Sequence, residues 1–231
     1  MTAIFIISAP SGSGKSTLVN EVRQIVPGLD FSISYTTRKP RGSEQNGREY
    51  FFVSRDEFEA MIRQDEFLEH AEVFGNYYGT ARRFLREAEE KATDLLLDID
   101  VQGAEQIKQK LPQAVSIFIL PPNRSELEKR LRSRSSDSEE VIQRRLATAR
   151  REIENYHKYS YILVNDRLED SVMALRAILI AERLQRSGIQ PAAAETDTIV
   201  LAERSRLLNM RERLRPILDS FRKGRDGNSG G

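Results

Sequence analysis

The chain has 231 residues, enough for one large or two small domains with a real core. Its 36 basic and 35 acidic residues leave a net charge of +1, so there is no global basic field to attract nucleic acid. The absence of cysteine excludes disulfides, thiol nucleophiles and cysteine-rich zinc sites, and two histidines, His70 and His157, are too few for a histidine metal cluster. A small-molecule partner is the default. The first residues lack a basic n-region, and their apolar run is too short to span a bilayer, so a soluble, cytoplasmic protein is expected.

In chain order, the apolar run Ile4 to Ile7 reads as a buried strand and Leu18 to Val26 as a helix. Between them lies "SAPSGSGKST". The spacing of Gly14, Lys15 and Ser16 fits a phosphate-binding loop, in which backbone N–H groups cradle phosphate oxygens, the lysine reaches the terminal phosphates and the hydroxyl ligates magnesium. The unpaired N–H groups and the dipole of the helix that follows favour an anion there. Ala9 departs from the generic pattern, which has its first glycine at that position. The loop from Ala9 and Pro10 through Ser11, Gly12, Ser13, Gly14, Lys15, Ser16 and Thr17 is therefore expected to bind the phosphates of ATP, with Ser16 on Mg2+. The alternative is a glycine-rich turn without a ligand.

A shorter strand is expected near Phe31 to Ser34. Residues 34–80 then break the strand and helix alternation with short aromatic strands and one helix, "RDEFEAMIRQ", and read as a small inserted α+β lobe. Within it, Arg38, Lys39, Arg41 and Arg48 crowd into a loop with two glycines and flanking tyrosines, a pattern suited to a second anion or, more simply, to a solvated basic loop. Phe51, Phe52, Phe58 and Phe67 are read as the lobe's core.

The alternation resumes with strands at Leu95 to Ile99, Val115 to Leu120 and Tyr161 to Val164, and helices at Ala104 to Leu111 and Ser171 to Arg186. Strands and helices in this order predict an α/β fold with a parallel sheet core, with ligands at the carboxyl ends of the strands. Asp98 and Asp100 alternate at one such end, in a position to serve a ligand or metal or to cap the following helix. Residues 121–151, rich in arginine and serine, are expected to form a mobile helical arm carrying Arg130, Arg132, Arg134, Arg144 and Arg145. On charge pattern alone a solvated, salt-bridged helix is the favoured reading. The core is thus assigned to 1–33, 81–120 and 152–187, with a linker at 188–197 and a helical tail at 198–231 whose last residues, "GRDGNSGG", are expected to be disordered. In the tail Val200, Leu207, Leu214 and Phe221 recur every seventh residue, with Met210 and Ile217 between them. That seam predicts packing on the body or self-association, and Pro216 is expected to kink or end its helix.

The segments "SAPSGSGKST", "SYTTRKPRGSEQNGREYFFV", "FLEHAEVFGNYYGT", "LLLDIDVQGA", "KRLRSRSSDSEEVIQRRL" and "YILVNDRLEDS" occur in the order and spacing of the guanylate kinases, and residues 3 to 187 resemble that family. The resemblance implies a P-loop kinase with an inserted GMP-binding lobe and a helical lid, moving the γ-phosphoryl group of ATP to GMP or dGMP with Mg2+. It implies that Arg38, Arg41, Tyr50 and Tyr78 hold the GMP phosphate and that Ser34, Glu69 and Thr80 read guanine. It also implies that Asp100 faces the GMP site and that Asp98 reaches the magnesium through water. Arg134 and Arg145, with Arg41, match the catalytic arginines, Arg130 a phosphate contact and Asn165 the adenine side. Many members have glycine after the lid arginine, whereas this chain reads Arg134-Ser135-Ser136. Two further readings stay open beside this one. A kinase of a sugar phosphate such as ribose 1,5-bisphosphate would have little use for Glu69 and Thr80, and a protein-binding scaffold of the same fold would have little use for an intact phosphate loop.

Overall fold

The computed structural model describes residues 2–73, 75–134, 138–188 and 190–222, and strands and helices alternate along most of their length. The chain starts with β1 (Ile4–Ser8), α1 (Lys15–Ile25) and β2 (Leu29–Ser32). The lobe follows with β3 (Tyr35–Thr36), β4 (Phe51–Phe52), α2 (Arg55–Arg63), β5 (Phe67–Val73) and β6 (Asn76–Ala81). Next come α3 (Arg83–Glu90), β7 (Asp94–Asp98), α4 (Val101–Lys110), β8 (Val115–Leu120), α5 (Arg124–Arg134) and α6 (Glu139–Ile153). The remainder is β9 (Tyr161–Val164), α7 (Leu168–Ser187), α8 (Thr196–Arg204) and α9 (Arg211–Arg222). Two compact units emerge, one from residues up to Ile7 with Val26–Ser116, the other from Ser8–Ile25 with residues from Ile117 onward.

In the first unit β2, β7 and β1 run parallel in that order, with Leu29 opposite Asp94 and Ile4 opposite Leu95. Their unbroken apolar runs suit strands covered on both faces, and every residue of β1 is buried. The lobe sheet has the order β4-β3-β6-β5, and α2 starts at Ser54, whose hydroxyl accepts from the Glu57 N–H at 3.2 Å. Phe58 and Phe67 stack at 4.4 Å and form the lobe core with Ala81. Phe51 and Phe52 are only half-buried, because they lie on the two-residue strand β4 at the sheet's edge. The expected strand at Phe31 to Ser34 is two strands, β2 ending at Ser32 and β3 beginning at Tyr35.

In the second unit β8 and β9 are parallel, with Ile117 opposite Tyr161; α1 packs on α7, and its Leu18, Val19 and Val22 are buried. The arm is helical as expected, but it is not a purely solvated surface. Leu127, Leu131, Ile142, Leu146, Ala149 and Ile153 are buried, and Arg132 ties α5 to Glu139 of α6 at 2.6 Å. Arg144 pairs with Glu140 within α6.

The tail departs from the sequence reading in two ways. Helix α8 begins at Thr196, inside the expected linker, after Gly188 closes α7 in a left-handed conformation. The seven-residue seam is not one helix, because α8 and α9 are separate and Val200 is 44% exposed. Pro216 lies inside α9 without ending it. Met210, Leu214, Ile217 and Phe221 are buried within the chain, with α8 against α7 and α9 against α5, so this apolar face is covered without a second copy. The "GRDGNSGG" terminus and the Ser135-Ser136 pair lie outside the described residues. Among the described residues no helix is long and apolar enough to cross a membrane.

Candidate active site

The phosphate loop is built where β1 ends. Gly12 and Gly14 have φ of +89° and +85°, a region that side chains rarely adopt. Ala9 is not among the positive-φ residues, so the position that departs from the generic pattern needs no glycine. The loop closes on itself through the Ser13 N–H to the Pro10 carbonyl at 3.1 Å, and α1 takes over with the Leu18 N–H to the Gly14 carbonyl. Lys15 opens α1, and its first turn carries no acidic residue to oppose an anion. Ser16 and Thr17 are exposed beside it.

Two elements hold this loop from outside. A Cβ on Gly12 would lie 2.8 Å from Leu131 Cδ2 and 3.0 Å from Leu127 Cδ1, so α5 packs directly on the loop backbone. Asn165, just past β9 and buried, donates from Nδ2 to the Ser13 carbonyl at 2.7 Å, and its amide occupies the space that a Gly14 side chain would need. Asn165 therefore braces the loop, a role that its assignment to the adenine side did not anticipate. Arg145 reaches the loop as well, donating from Nη2 to Ser11 Oγ at 2.8 Å. Arg130 is held by Glu126 at 3.0 Å on the same helix as Leu127 and Leu131. The side chain of Arg134 lies outside the described residues.

The second candidate site is in the first unit. Arg38 makes a bidentate pair with Glu44 at 2.9 and 3.0 Å and lies 5.3 Å from the Tyr50 ring centroid, and Tyr50 meets Tyr78 edge-on at 5.9 Å. Glu44 also accepts from the Arg41 backbone N–H at 2.8 Å. The Arg38 guanidinium draws the Glu44 carboxyl below its usual range, against partial burial. The structure thus gathers Arg38, Tyr50 and Tyr78, and the backbone of Arg41, around an acid that the sequence reading passed over. An acidic residue in an otherwise basic loop was the available signal. Ser34 meets this region through its carbonyl, which accepts from the Phe51 N–H at 2.9 Å.

Glu69 and Thr80 are brought together by a register irregularity. Phe67 pairs with Ala81 but Glu69 with Thr80, so β5 carries one extra residue, Leu68, opposite β6. Without that bulge Leu68 would oppose Thr80; with it, Glu69 turns to Thr80's side of the sheet. Thr80 Oγ1 donates to Glu69 Oε1 at 2.6 Å, and both residues are buried. Burial raises the Glu69 carboxyl to about 7; the Thr80 hydrogen bond and Lys110 oppose the rise, while Asp100 reinforces it. The other carboxylate oxygen faces the start of α4, where a Cβ on Gly103 would lie 2.5 Å from Glu69 Oε2. Gly103 is thus a site residue that sequence reasoning missed, although a glycine inside a helix was a visible anomaly. Asp100 caps α4, its Oδ1 accepting from the Gly103 N–H at 2.7 Å, so the capping role open to it is filled. Asp98 ends β7, in register with Ile7 of β1.

His70 lies on β5, where its backbone exchanges hydrogen bonds with the Gln106 side chain; burial and then Lys110 lower its pKa. No group of three or more His, Cys, Asp or Glu residues able to hold a metal occurs among the described residues. Magnesium is commonly held by a hydroxyl or carboxylate together with substrate phosphates and water rather than by a protein cage, and Ser16, exposed at the start of α1, offers a hydroxyl of that kind.

A glycine loop that opens a helix, at the end of a buried strand in an α/β fold, is the construction of the P-loop phosphotransferases. The family model described as guanylate kinase matches residues 1–182. The guanylate kinase of Koribacter versatilis (strain Ellin345) is 61% identical over 226 residues, covering 96% of this chain and 97% of its own. The guanylate kinase of Escherichia coli (strain K12) is 52% identical over 186 residues, covering 80% and 90%. The crystal structure of guanylate kinase from Anaplasma phagocytophilum superposes with a TM-score of 0.67 at 35% identity, covering 79% of this chain and 87% of that one. The chain belongs to the guanylate kinase family.

Proposed function

We propose that this chain transfers the γ-phosphoryl group of MgATP to GMP or dGMP, giving ADP and the corresponding diphosphate. The observation that carries the acceptor's identity is the buried Glu69 carboxylate, fixed by Thr80 on one oxygen and given room by Gly103 on the other. Guanine offers N1–H and N2–H2 as donors to such a carboxylate, whereas adenine would bring an unprotonated N1 to it and leave buried polar groups unpaired. Arg38, Arg41, Tyr50 and Tyr78 hold the GMP phosphate, Ser34 completes the base site, and Asp100 faces the nucleotide while capping α4.

On the donor side, the loop from Ala9 to Thr17 cradles the ATP phosphates and Lys15 lies against the terminal ones. Mg2+ bound with ATP would be held by Ser16 directly and by Asp98 through water, and would supply positive charge against the donor phosphates. An oxygen of the GMP phosphate attacks the γ phosphorus in line as its bond to the β,γ-bridging oxygen breaks, and ADP leaves. No covalent enzyme intermediate forms. Charge spread over the equatorial oxygens is met by Lys15, Arg41, Arg134 and Arg145, with Arg130 on the donor phosphates. This chemistry belongs in the cytoplasm, with both nucleotides.

The test is ADP formation from MgATP with GMP, dGMP, AMP, IMP and ribose 1,5-bisphosphate offered separately. Fast turnover with GMP and dGMP and poor turnover with AMP is expected, with Glu69→Ala relaxing the choice between GMP and AMP. Activity confined to the sugar phosphate, or an unchanged GMP preference in Glu69→Ala, overturns the acceptor assignment.

A further inference from the structure

The tail beyond residue 187 lies outside the matched family region, and its contacts lead toward the phosphate loop by two routes. The first runs through β9. The Ile162 N–H donates to the Ser205 carbonyl at 2.8 Å and the Leu207 N–H to the Ser160 carbonyl at 3.0 Å, so Ser205–Leu207 adds to β9 as a short antiparallel partner. Side chains lock this pairing. Arg206 lies over the buried Tyr161 ring at 4.9 Å and reaches Glu203 at 2.6 Å and Glu182 at 3.5 Å, while the Tyr161 hydroxyl donates to Glu182 at 2.6 Å. Immediately past the other end of β9 stands Asn165, which holds Ser13 and fills the space beside Gly14.

The second route runs through α5. The first helical N–H groups of any helix lack partners in their own helix. Here the Arg124 N–H, at the start of α5, donates to Ser220 Oγ of α9 at 3.0 Å, so the tail supplies a cap to a helix 96 residues away. One turn on, α5 lays Leu127 and Leu131 against Gly12. The groups that touch Gly12, Ser13 and Gly14 from outside, Leu127 and Leu131 of α5 and Asn165 past β9, thus sit on elements that the tail holds at their far ends.

We propose that the tail is an internal brace that sets the shape of the phosphate loop, with Ser220 and Arg206 as positioning residues for the ATP phosphates. The ATP assignment rests on the function proposed above; the effect on the loop does not. A hydroxyl cap and a stacked guanidinium act on helix and strand ends rather than on the ligand, so their loss softens the loop and weakens donor binding while leaving GMP recognition intact.

The test uses the full chain with Ser220→Ala, Arg206→Ala and the double variant, and Ile107→Val in α4 of the other unit as a control for lost stability. Amide hydrogen exchange of residues 12–15 is measured without nucleotide, and KM for ATP and GMP well below every melting temperature. Faster exchange at 12–15 in the tail variants but not in Ile107→Val, a KM for ATP raised roughly threefold to tenfold, and a KM for GMP within about twofold are expected. Lower melting temperatures with wild-type loop exchange and wild-type KM for ATP would sink the proposal and leave the tail a general stabiliser. If the wild-type chain did not phosphorylate GMP, the functional reading would fall, and the exchange measurement would still decide the brace.

Discussion

At the residue scale the proposed acceptor site depends on a residue that carries no side chain. The Glu69 carboxylate occupies the space that a Gly103 side chain would fill, 2.5 Å from the ideal Cβ position. Gly103→Ala is therefore expected to displace the carboxylate and raise KM for GMP by about 10- to 100-fold with KM for ATP unchanged, as read by steady-state kinetics. Glu69 also makes stability depend on pH. Its folded pKa of about 7 exceeds the ordinary 4.5 because burial penalises the charged form, so the folded chain keeps a proton that the unfolded chain releases. Its contribution is fully present below about 4.5 and is lost as pH rises through about 7, a change on the order of 3 kcal/mol. Denaturant unfolding of the ligand-free protein should show this decline between pH 5 and pH 8, and Glu69→Gln should flatten it. Because guanine donates to the ionised form, binding of GMP should gain from the same rise in pH, and the gain should disappear in Glu69→Gln.

At the element scale α9 shows which of two opposing effects wins. Proline inside a helix removes one hydrogen bond and crowds the preceding turn, at about 3 kcal/mol relative to alanine. Leu214, Ile217 and Phe221 recur on one face and are all buried, and burial of such side chains contributes about 1.5–3 kcal/mol each. The sum exceeds the proline cost, and the helix runs through Pro216. Pro216→Ala should restore the N–H to the Glu212 carbonyl and stabilise the chain by about 1–2 kcal/mol, after allowance for the freer unfolded state. Thermal unfolding reads this directly, and an unchanged or lower midpoint would show that the helix is adapted to the proline. The bulge at Leu68 was hidden from sequence reading for a related reason: a run such as "FLEHAEV" states its alternation but not the register of its partner.

At the scale of the whole molecule, the phosphate loop with Arg130, Arg145 and Asn165 lies in one compact unit, and the residues proposed for GMP lie in the other. Lys15→Ala should therefore lower turnover by roughly 10²- to 10³-fold or more while calorimetry gives a wild-type affinity for GMP. Weakened GMP binding in that variant would show that the donor loop also shapes the acceptor site.

The sequence by itself determined the α/β alternation, the phosphate loop and the family, because buried parallel strands, helix starts and glycine turns are written in local periodicity and spacing. Tertiary structure alone decided that Glu44 holds Arg38, that Gly103 makes room for Glu69, that Asn165 supports the loop and that the tail folds back on β9 and α5. Each joins residues through side-chain volume or a hydrogen bond formed only once the chain has packed. Arg38 and Glu44 are near in sequence, yet neither their spacing nor their charge distinguishes a fixed pair from a solvated basic loop.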